Sequence, residues 1–170
     1  MENQYLDTNI DQEVISNAGY GSFLRRFAAL MIDGLIFIFL LIFIFLITGG
    51  LSAFTLMVRE GRWSQDVLFT NFLSAGVGVY VLQWLYCAYF ESSGKQATLG
   101  KQAMGLFVTD MNGERLTFGA ASIRHFASVL PTFIPSIGFV YFIIDHLIQP
   151  FTEKKQTLHD MIAGALVFKR

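Results

Sequence analysis

The stretch SFLRRFAALMIDGLIFIFLLIFIFLI, residues Ser22–Ile47, decides the fold of this chain. No residue from Gly34 to Val58 is charged, and this run exceeds the roughly 20 apolar residues that a membrane-spanning helix needs. Arg26 and Asp33 share one stripe of the helix, because a separation of seven residues returns to nearly the same face. An acid in an apolar helix is costly unless it meets water or a polar partner.

The composition agrees with a membrane protein. Of the 170 residues, 54% are hydrophobic, which is more than a soluble domain of this length normally shows. The formal net charge is −1, so the sequence gives no support for nucleic-acid binding. Cys87 is the single cysteine, which excludes an intrachain disulfide and a thiolate metal cluster. We expect the lipid bilayer to be the main partner.

Motifs of catalysis are missing from the sequence. We find no Ser-His-Asp order with a nucleophile elbow and no glycine-rich phosphate loop that ends in Lys-Ser or Lys-Thr. His125, His146 and His159 lack the i, i+4 spacing of a helical zinc motif. We therefore expect no enzyme activity, no cofactor and no metal site.

The apolar runs predict three or four membrane passages. Pro131 and Pro135 do not both fit one regular helix, so the last run predicts either one kinked passage or two short helices. Basic residues favour the cytoplasmic side of a membrane, and they are more numerous near the end of the chain than at the loop with Arg59 and Arg62. An even count is therefore favoured, with three passages as the alternative. The favoured spans are about 23–47, 67–90, 116–130 and 136–149, with a polar cytoplasmic tail at 1–21, a cytoplasmic insert at 91–115 and a second cytoplasmic tail at 150–170.

The insert contains signals for local structure. Thr98–Met104 predicts a short helix, and Asn112-Gly113 is a hairpin-turn pair between the apolar segments Leu106–Thr109 and Arg115–Phe118. Gly164–Phe168 is β-prone and could add a strand to that hairpin. The predicted fold is a small all-α membrane bundle of three or four helices with a small cytoplasmic β-hairpin.

Three motifs, in this order, resemble those of the RDD family of bacterial membrane proteins. They are Arg-Arg-Phe-Ala-Ala-Leu-Met-Ile-Asp at 25–33, Thr-Leu-Gly-Lys-Gln at 98–102 and Leu-His-Asp-Met-Ile-Ala-Gly at 158–164. The resemblance implies an RDD-type membrane domain over residues 22–168. It places the family's arginine on Arg26 and its two aspartates on Asp33 and Asp160. It also implies a multi-pass protein of the bacterial plasma membrane, with sodium-proton exchange proposed for some members.

Two functions remain open for the polar residues near the inner end of the first helix. In a monovalent cation/proton transporter, Asp160 would gather ions and Asp33 would hold them. In a non-transporting scaffold or accessory protein, the same residues are structural, and Asp160 caps a short helix or pairs with a nearby cation. The candidate cluster comprises Arg26, Asp33, Lys101, His159 and Asp160.

Several neighbouring residues predict further features. A transport pathway needs more walls than three or four short helices provide, so transport predicts self-association through the small residues Ser74 and Gly78. Arg124 and His125 are interpreted as a basic collar. Asp145, which lies beside His146 at the end of the last apolar run, is interpreted as a solvated interfacial residue.

Overall fold

A computed structural model describes residues 19–61 and 65–170 of the chain. This part is mostly helical and carries one two-stranded sheet. It divides into a large unit, formed by the described residues up to Ile32 together with Leu85–Arg170, and a small unit, Asp33–Trp84. The elements are helices α1 (Phe23–Glu60), α2 (Gln65–Ser92), α3 (Leu99–Ala103), α4 (Phe118–Val129), α5 (Gly138–Leu147) and α6 (Leu158–Ala163), strands β1 (Leu106–Asp110) and β2 (Ala165–Lys169), and 3-10 turns at Leu130–Phe133 and Gln149–Phe151.

Helices α1 and α2 are long and apolar enough to span a membrane. They contain 38 and 28 residues, which correspond to about 57 and 42 Å at a rise of about 1.5 Å per residue. The hydrocarbon layer is about 30 Å thick. The first span was predicted to end near residue 47, but α1 continues past Gly49 and Gly50 to Glu60.

Hydroxyl groups in this longer helix bond to its own backbone. Thr48 and Thr55 each donate from the side chain to the carbonyl four residues earlier, at 2.8 and 2.9 Å, so these polar groups are satisfied within the helix itself. Inside the small unit, the Asn71 side-chain amide donates to the Ser52 hydroxyl at 2.7 Å. This bond ties α1 to α2 in the way polar side chains join membrane helices.

The sheet lies in the large unit. Strands β1 and β2 pair antiparallel from Leu106 opposite Lys169 to Asp110 opposite Ala165. Residues 19–21 lie along the other edge of β2, where the Gly21 amide donates to the Val167 carbonyl at 2.8 Å. Three segments that are distant in sequence therefore meet in one sheet.

The predicted hairpin is wrong in its second strand. Asn112-Gly113 does lie in a turn, because the Asp110 side chain accepts from the Asn112 and Glu114 amides at 2.8 and 2.9 Å. Residues 115–117 are not a strand, and Thr117 instead caps α4 by accepting from the Ala120 amide at 3.1 Å. The strand predicted near Gly164–Phe168 is present and is the true partner of β1.

The last apolar region forms two short helices, as one of the sequence interpretations expected. The 3-10 turn Leu130–Phe133, which contains Pro131, follows α4, and Gly138 begins α5. The helices contain 12 and 10 residues, or about 18 and 15 Å. Of the described helices, only α1 and α2 have spanning length, whereas the favoured interpretation assigned four spans. Residues 1–18 of the predicted tail and residues 62–64 of the predicted external loop lie outside the described part.

Candidate functional site

The large unit contains a cluster of buried charged side chains, which we name the charge cluster. It connects the start of α1 and the end of α2 to α3, α4, α5 and α6. Its carboxylates are held by cations and by a histidine. The members are Arg26, Glu91, Lys101, Arg124, Asp145, His159 and Asp160.

Asp160 is held in place by the capping of α6. The Thr157 hydroxyl accepts from the Asp160 amide, and the Asp160 carboxylate accepts from the Thr157 amide, both at 3.3 Å. This reciprocal capping box satisfies two amides at the start of the helix. It also fixes the carboxylate in a site where Asp160 is fully buried.

Arg124 connects two carboxylates. Its Nη1 donates to both Glu91 oxygens at 2.7 and 2.8 Å, and its Nε donates to Asp160 Oδ1 at 2.7 Å. A planar guanidinium with several N–H groups suits this task, because it can serve two carboxylates from fixed directions. Arg124 is only 6% exposed, so the arrangement lies out of water.

Arg26 approaches Asp160 from the start of α1. Its Nη1 lies 2.5 Å from Asp160 Oδ2, and its Nη2 donates to the Lys155 carbonyl at 2.7 Å. Its Nε donates to the Gly21 carbonyl at 3.3 Å. The first spanning helix is therefore tied to α6 by a side chain whose direction is fixed by two further carbonyls.

Lys101 pairs with Glu91. It lies in α3, whose N-cap is the buried Thr98; the Thr98 side chain accepts from the Lys101 amide at 3.4 Å. The end of α2 is consequently joined to α3 through Glu91. Arg26 is the nearby cation that pairs with Asp160, whereas Lys101 pairs with Glu91.

Asp145 and His159 form a second pair next to Asp160. The Asp145 carboxylate accepts from His159 Nδ1 at 2.7 Å and from the His159 amide at 3.0 Å. Nε2 of His159 lies 3.5 Å from Arg124 Nη2. Thr157 Oγ1 and Asp160 Oδ1 also lie near Nε2, at 3.1 and 3.5 Å.

These contacts determine the protonation of Asp160. Burial by itself would raise the pKa of this carboxyl, but the charges of Arg124, His159 and Arg26 and the hydrogen bond from Arg124 outweigh burial. The pKa of Asp160 therefore lies well below its ordinary value, and the group stays ionised across the physiological range. Such a carboxylate holds its arginines tightly but is poorly suited to taking up and releasing a proton near neutral pH.

Four of the five predicted site residues are brought together: Arg26, Lys101, His159 and Asp160. Asp33 is the first residue of the small unit and is half-buried there. In the part of the chain that the structure describes, no group of histidine, cysteine and acidic side chains is arranged to hold a metal ion.

Sequence reasoning missed three members of the charge cluster. Arg124 was interpreted as part of a basic collar and Asp145 as a solvated interfacial residue, yet Arg124 is buried and Asp145 is fully buried. Glu91 was not singled out. A signal existed, since Glu91 and Asp145 each lie at the edge of a long uncharged run, as Asp33 does.

Two helices of spanning length, and a charge cluster buried in the large unit, define a helical membrane protein. Residues 20–164 match the model of the RDD family, and the chain belongs to that family. It is 33% identical over 147 residues to a Bacillus subtilis (strain 168) protein called uncharacterized protein YxaI, covering 84% of this chain and 92% of that protein. No solved structure matches the chain.

Proposed function

We propose that this chain is a non-transporting membrane module that acts as a scaffold or accessory protein, and that its charge cluster is a structural clasp. The observation that carries the proposal is that each carboxylate of the charge cluster is paired. Glu91, Asp145 and Asp160 each accept from a cationic or imidazole group within about 3 Å. A cation entering here would have to displace a bonded guanidinium or ammonium group, which makes the charge cluster a poor ion-binding site.

The exposed surface of the spanning helices fits a module that meets lipid and other helices. In the small unit, large apolar side chains such as Phe39, Leu51 and Phe69 are mostly exposed. In a bilayer these side chains contact acyl chains or a neighbouring membrane protein, and helix association there depends on packing and polar bonds rather than on exclusion of water. The two-helix pair thus offers wide surfaces for a partner.

We place this module in the bacterial plasma membrane with the large-unit sheet on the cytoplasmic side. The sheet joins residues 19–21, 105–110 and 165–170, which supports an even number of passages between these segments. The basic residues near the sheet support the cytoplasmic side. They are Arg25, Lys95, Arg115, Lys154, Lys155, Lys169 and Arg170.

The alternative is a monovalent cation/proton transporter that works as an oligomer. It is favoured by one observation, the half-buried Asp33 within an apolar helix. Ser74 and Gly78 are exposed on α2, and nothing lies within 4 Å of a Cβ built on Gly78. Close helix approach between copies at these small residues is therefore sterically open, as an oligomeric transporter requires.

Flux measurements in reconstituted vesicles separate the two functions. Purified protein is placed in vesicles that contain a pH-sensitive dye, and sodium or potassium gradients are imposed. The scaffold proposal predicts that vesicles containing the wild type, Asp33→Asn or Asp160→Asn give the same dye response as empty vesicles. Cation-driven proton movement that is present in the wild type and absent in Asp33→Asn would establish transport and overturn the scaffold proposal.

A second measurement addresses the partner. The scaffold proposal predicts that a membrane protein co-purifies with the wild type at constant stoichiometry from membranes of the source organism. Arg124→Gln should lose that partner because the clasp is broken, whereas Arg115→Gln, which changes an exposed arginine, should retain it. Equal capture of the partner by both variants would show that partner binding does not depend on the charge cluster.

A further inference from the structure

The two short helices α4 and α5 form a hairpin whose tip is apolar. Leu130–Phe133 is a 3-10 turn, and the chain reverses before Gly138. Large apolar side chains project from this tip, with Phe133 66% and Phe139 75% exposed. Leu130, Ile134 and Ile137 are also about half exposed or more. Water is an unfavourable environment for so continuous an apolar patch.

The two arms of the hairpin are bonded to each other. The Tyr141 hydroxyl, on α5, donates to the Ala127 carbonyl, on α4, at 2.6 Å. The turn is also internally bonded, because the Thr132 hydroxyl donates to the Val129 carbonyl at 2.6 Å and the Gly138 amide donates to the Ile134 carbonyl at 2.8 Å. The hairpin is thus a built unit with its own internal bonds.

The backbone of the tip also suits an apolar medium. Pro131 and Pro135 have no N–H group, so two positions of the irregular segment carry no donor that would need a partner. Irregular backbone is costly in hydrocarbon because unsatisfied amides have no water to bond. Two prolines and the bonds within the turn reduce that cost.

The opposite end of the hairpin is fixed by the charge cluster. Arg124, in the middle of α4, bonds to Glu91 at the end of the spanning helix α2. Asp145, near the end of α5, bonds to His159 at the start of α6. The base of the hairpin therefore lies beside the end of α2.

Length then limits how far the tip can reach. From Arg124 to the end of α4 and through the 3-10 turn to Phe133, the chain rises at most about 16 Å. One leaflet of the hydrocarbon layer is about 15 Å thick, half of about 30 Å. A tip that starts at the level of Glu91 reaches the middle of the bilayer and no further.

We propose that residues 118–147 form a re-entrant hairpin that enters and leaves the bilayer on the side of the sheet and inserts its tip among the acyl chains of that leaflet. The lipid is the occupant of the apolar tip, because the hairpin base is joined to the apolar spanning helices by buried charges. In this arrangement the chain crosses the membrane twice, through α1 and α2 alone.

Depth-dependent quenching tests the proposal in the full chain reconstituted in vesicles. In a Cys87→Ala background, Ser136→Cys provides a label at the exposed tip. Asn112→Cys, in the exposed turn after β1, marks the sheet side, and Arg59→Cys, at the exposed end of α1, marks the other side. Phe133→Cys repeats the tip measurement at a second position.

The expected result has two parts. A fluorophore at position 136 is quenched more by lipids brominated near the ends of their acyl chains than by lipids brominated near the headgroup. A membrane-impermeant maleimide fails to label position 136 from either side, while position 112 reacts from one side and position 59 from the other.

Three results would each overturn the proposal. Labelling of position 136 from the side that labels position 59 would mean that the hairpin crosses the membrane twice. Labelling from the side of position 112 without quenching would place the tip in water. Loss of quenching together with crosslinking of position 136 between copies would make a second chain the occupant of the tip.

Discussion

Replacing Arg124 by glutamine removes the central cation of the charge cluster. Glu91 then loses bonds of 2.7 and 2.8 Å, and Asp160 loses one of 2.7 Å. Breaking a buried ion pair by removing one partner costs about 3–5 kcal/mol, because the remaining charge is left uncompensated. Lys101 still serves Glu91 and Arg26 still serves Asp160. We therefore expect the lower end, about 3 kcal/mol, or roughly a 150-fold shift in the unfolding equilibrium.

Equilibrium unfolding in mixed micelles measures this change. The fraction of sodium dodecyl sulfate is raised and tryptophan fluorescence follows the transition. Arg115→Gln is the matched control, because Arg115 is exposed and such surface changes usually stay within about 0.5 kcal/mol. A loss below about 1 kcal/mol for Arg124→Gln would refute the idea that the charge cluster is a clasp.

A double variant sharpens this test. Adding Glu91→Gln to Arg124→Gln removes the carboxylate that the first change left short of partners. The two changes should then be less than additive, with a coupling of about 0.5–3 kcal/mol, as for residues in one hydrogen-bonded network. Strict additivity would mean that Glu91 and Arg124 contribute independently, contrary to the contacts between them.

The remaining predictions concern pH, a turn and self-association. Since the folded-state pKa of Asp160 is lowered, this carboxylate stabilises the fold above its ordinary pKa of 3.8, and the stabilisation is lost as the pH falls below that value. In a plot of unfolding free energy against pH, Asp160→Asn should therefore reduce the slope on the acid side by up to about 1.4 kcal/mol per pH unit. Gly138→Ala should destabilise the protein by about 1–3 kcal/mol, because the added Cβ would lie 2.1 Å from the Thr132 carbonyl oxygen. Thermal unfolding measures this loss. Gly34→Ala is the control and should show no such loss, because a Cβ at position 34 meets no atom within 4 Å. If copies associate through α2, Gly78→Ile should reduce crosslinking between chains in membranes, and unchanged crosslinking would exclude this face.

Long-range contacts explain most differences between the predicted and observed fold. The uncharged run after Asp33 predicts α1, and the helix continues past Gly49 to Glu60. The turn at Asn112-Gly113 was correctly predicted from local preference. Its assumed second strand failed because Thr117 caps a helix instead, and the partner of β1 comes from a segment more than fifty residues further along the chain.

The same distinction applies to the candidate site. Arg26 and Asp160 were found because short motifs carry them, and the structure places their side chains in contact. The burial of Arg124 was not predictable from α4 alone, since both of its carboxylate partners lie more than thirty residues away. The charge of a single residue suggests a partner, but only the tertiary fold selects which one.

The pairing of Arg26 with Asp160 sets an order of events during synthesis. The two residues are 134 positions apart, and the ribosome makes the first spanning helix long before it reaches the carboxylate. A nascent chain that has inserted α1 and α2 therefore holds its membrane-border arginine without the acid that pairs with it in the folded protein. Closure of the charge cluster is a late step, which makes an interrupted chain chemically distinct from a finished one at the membrane surface.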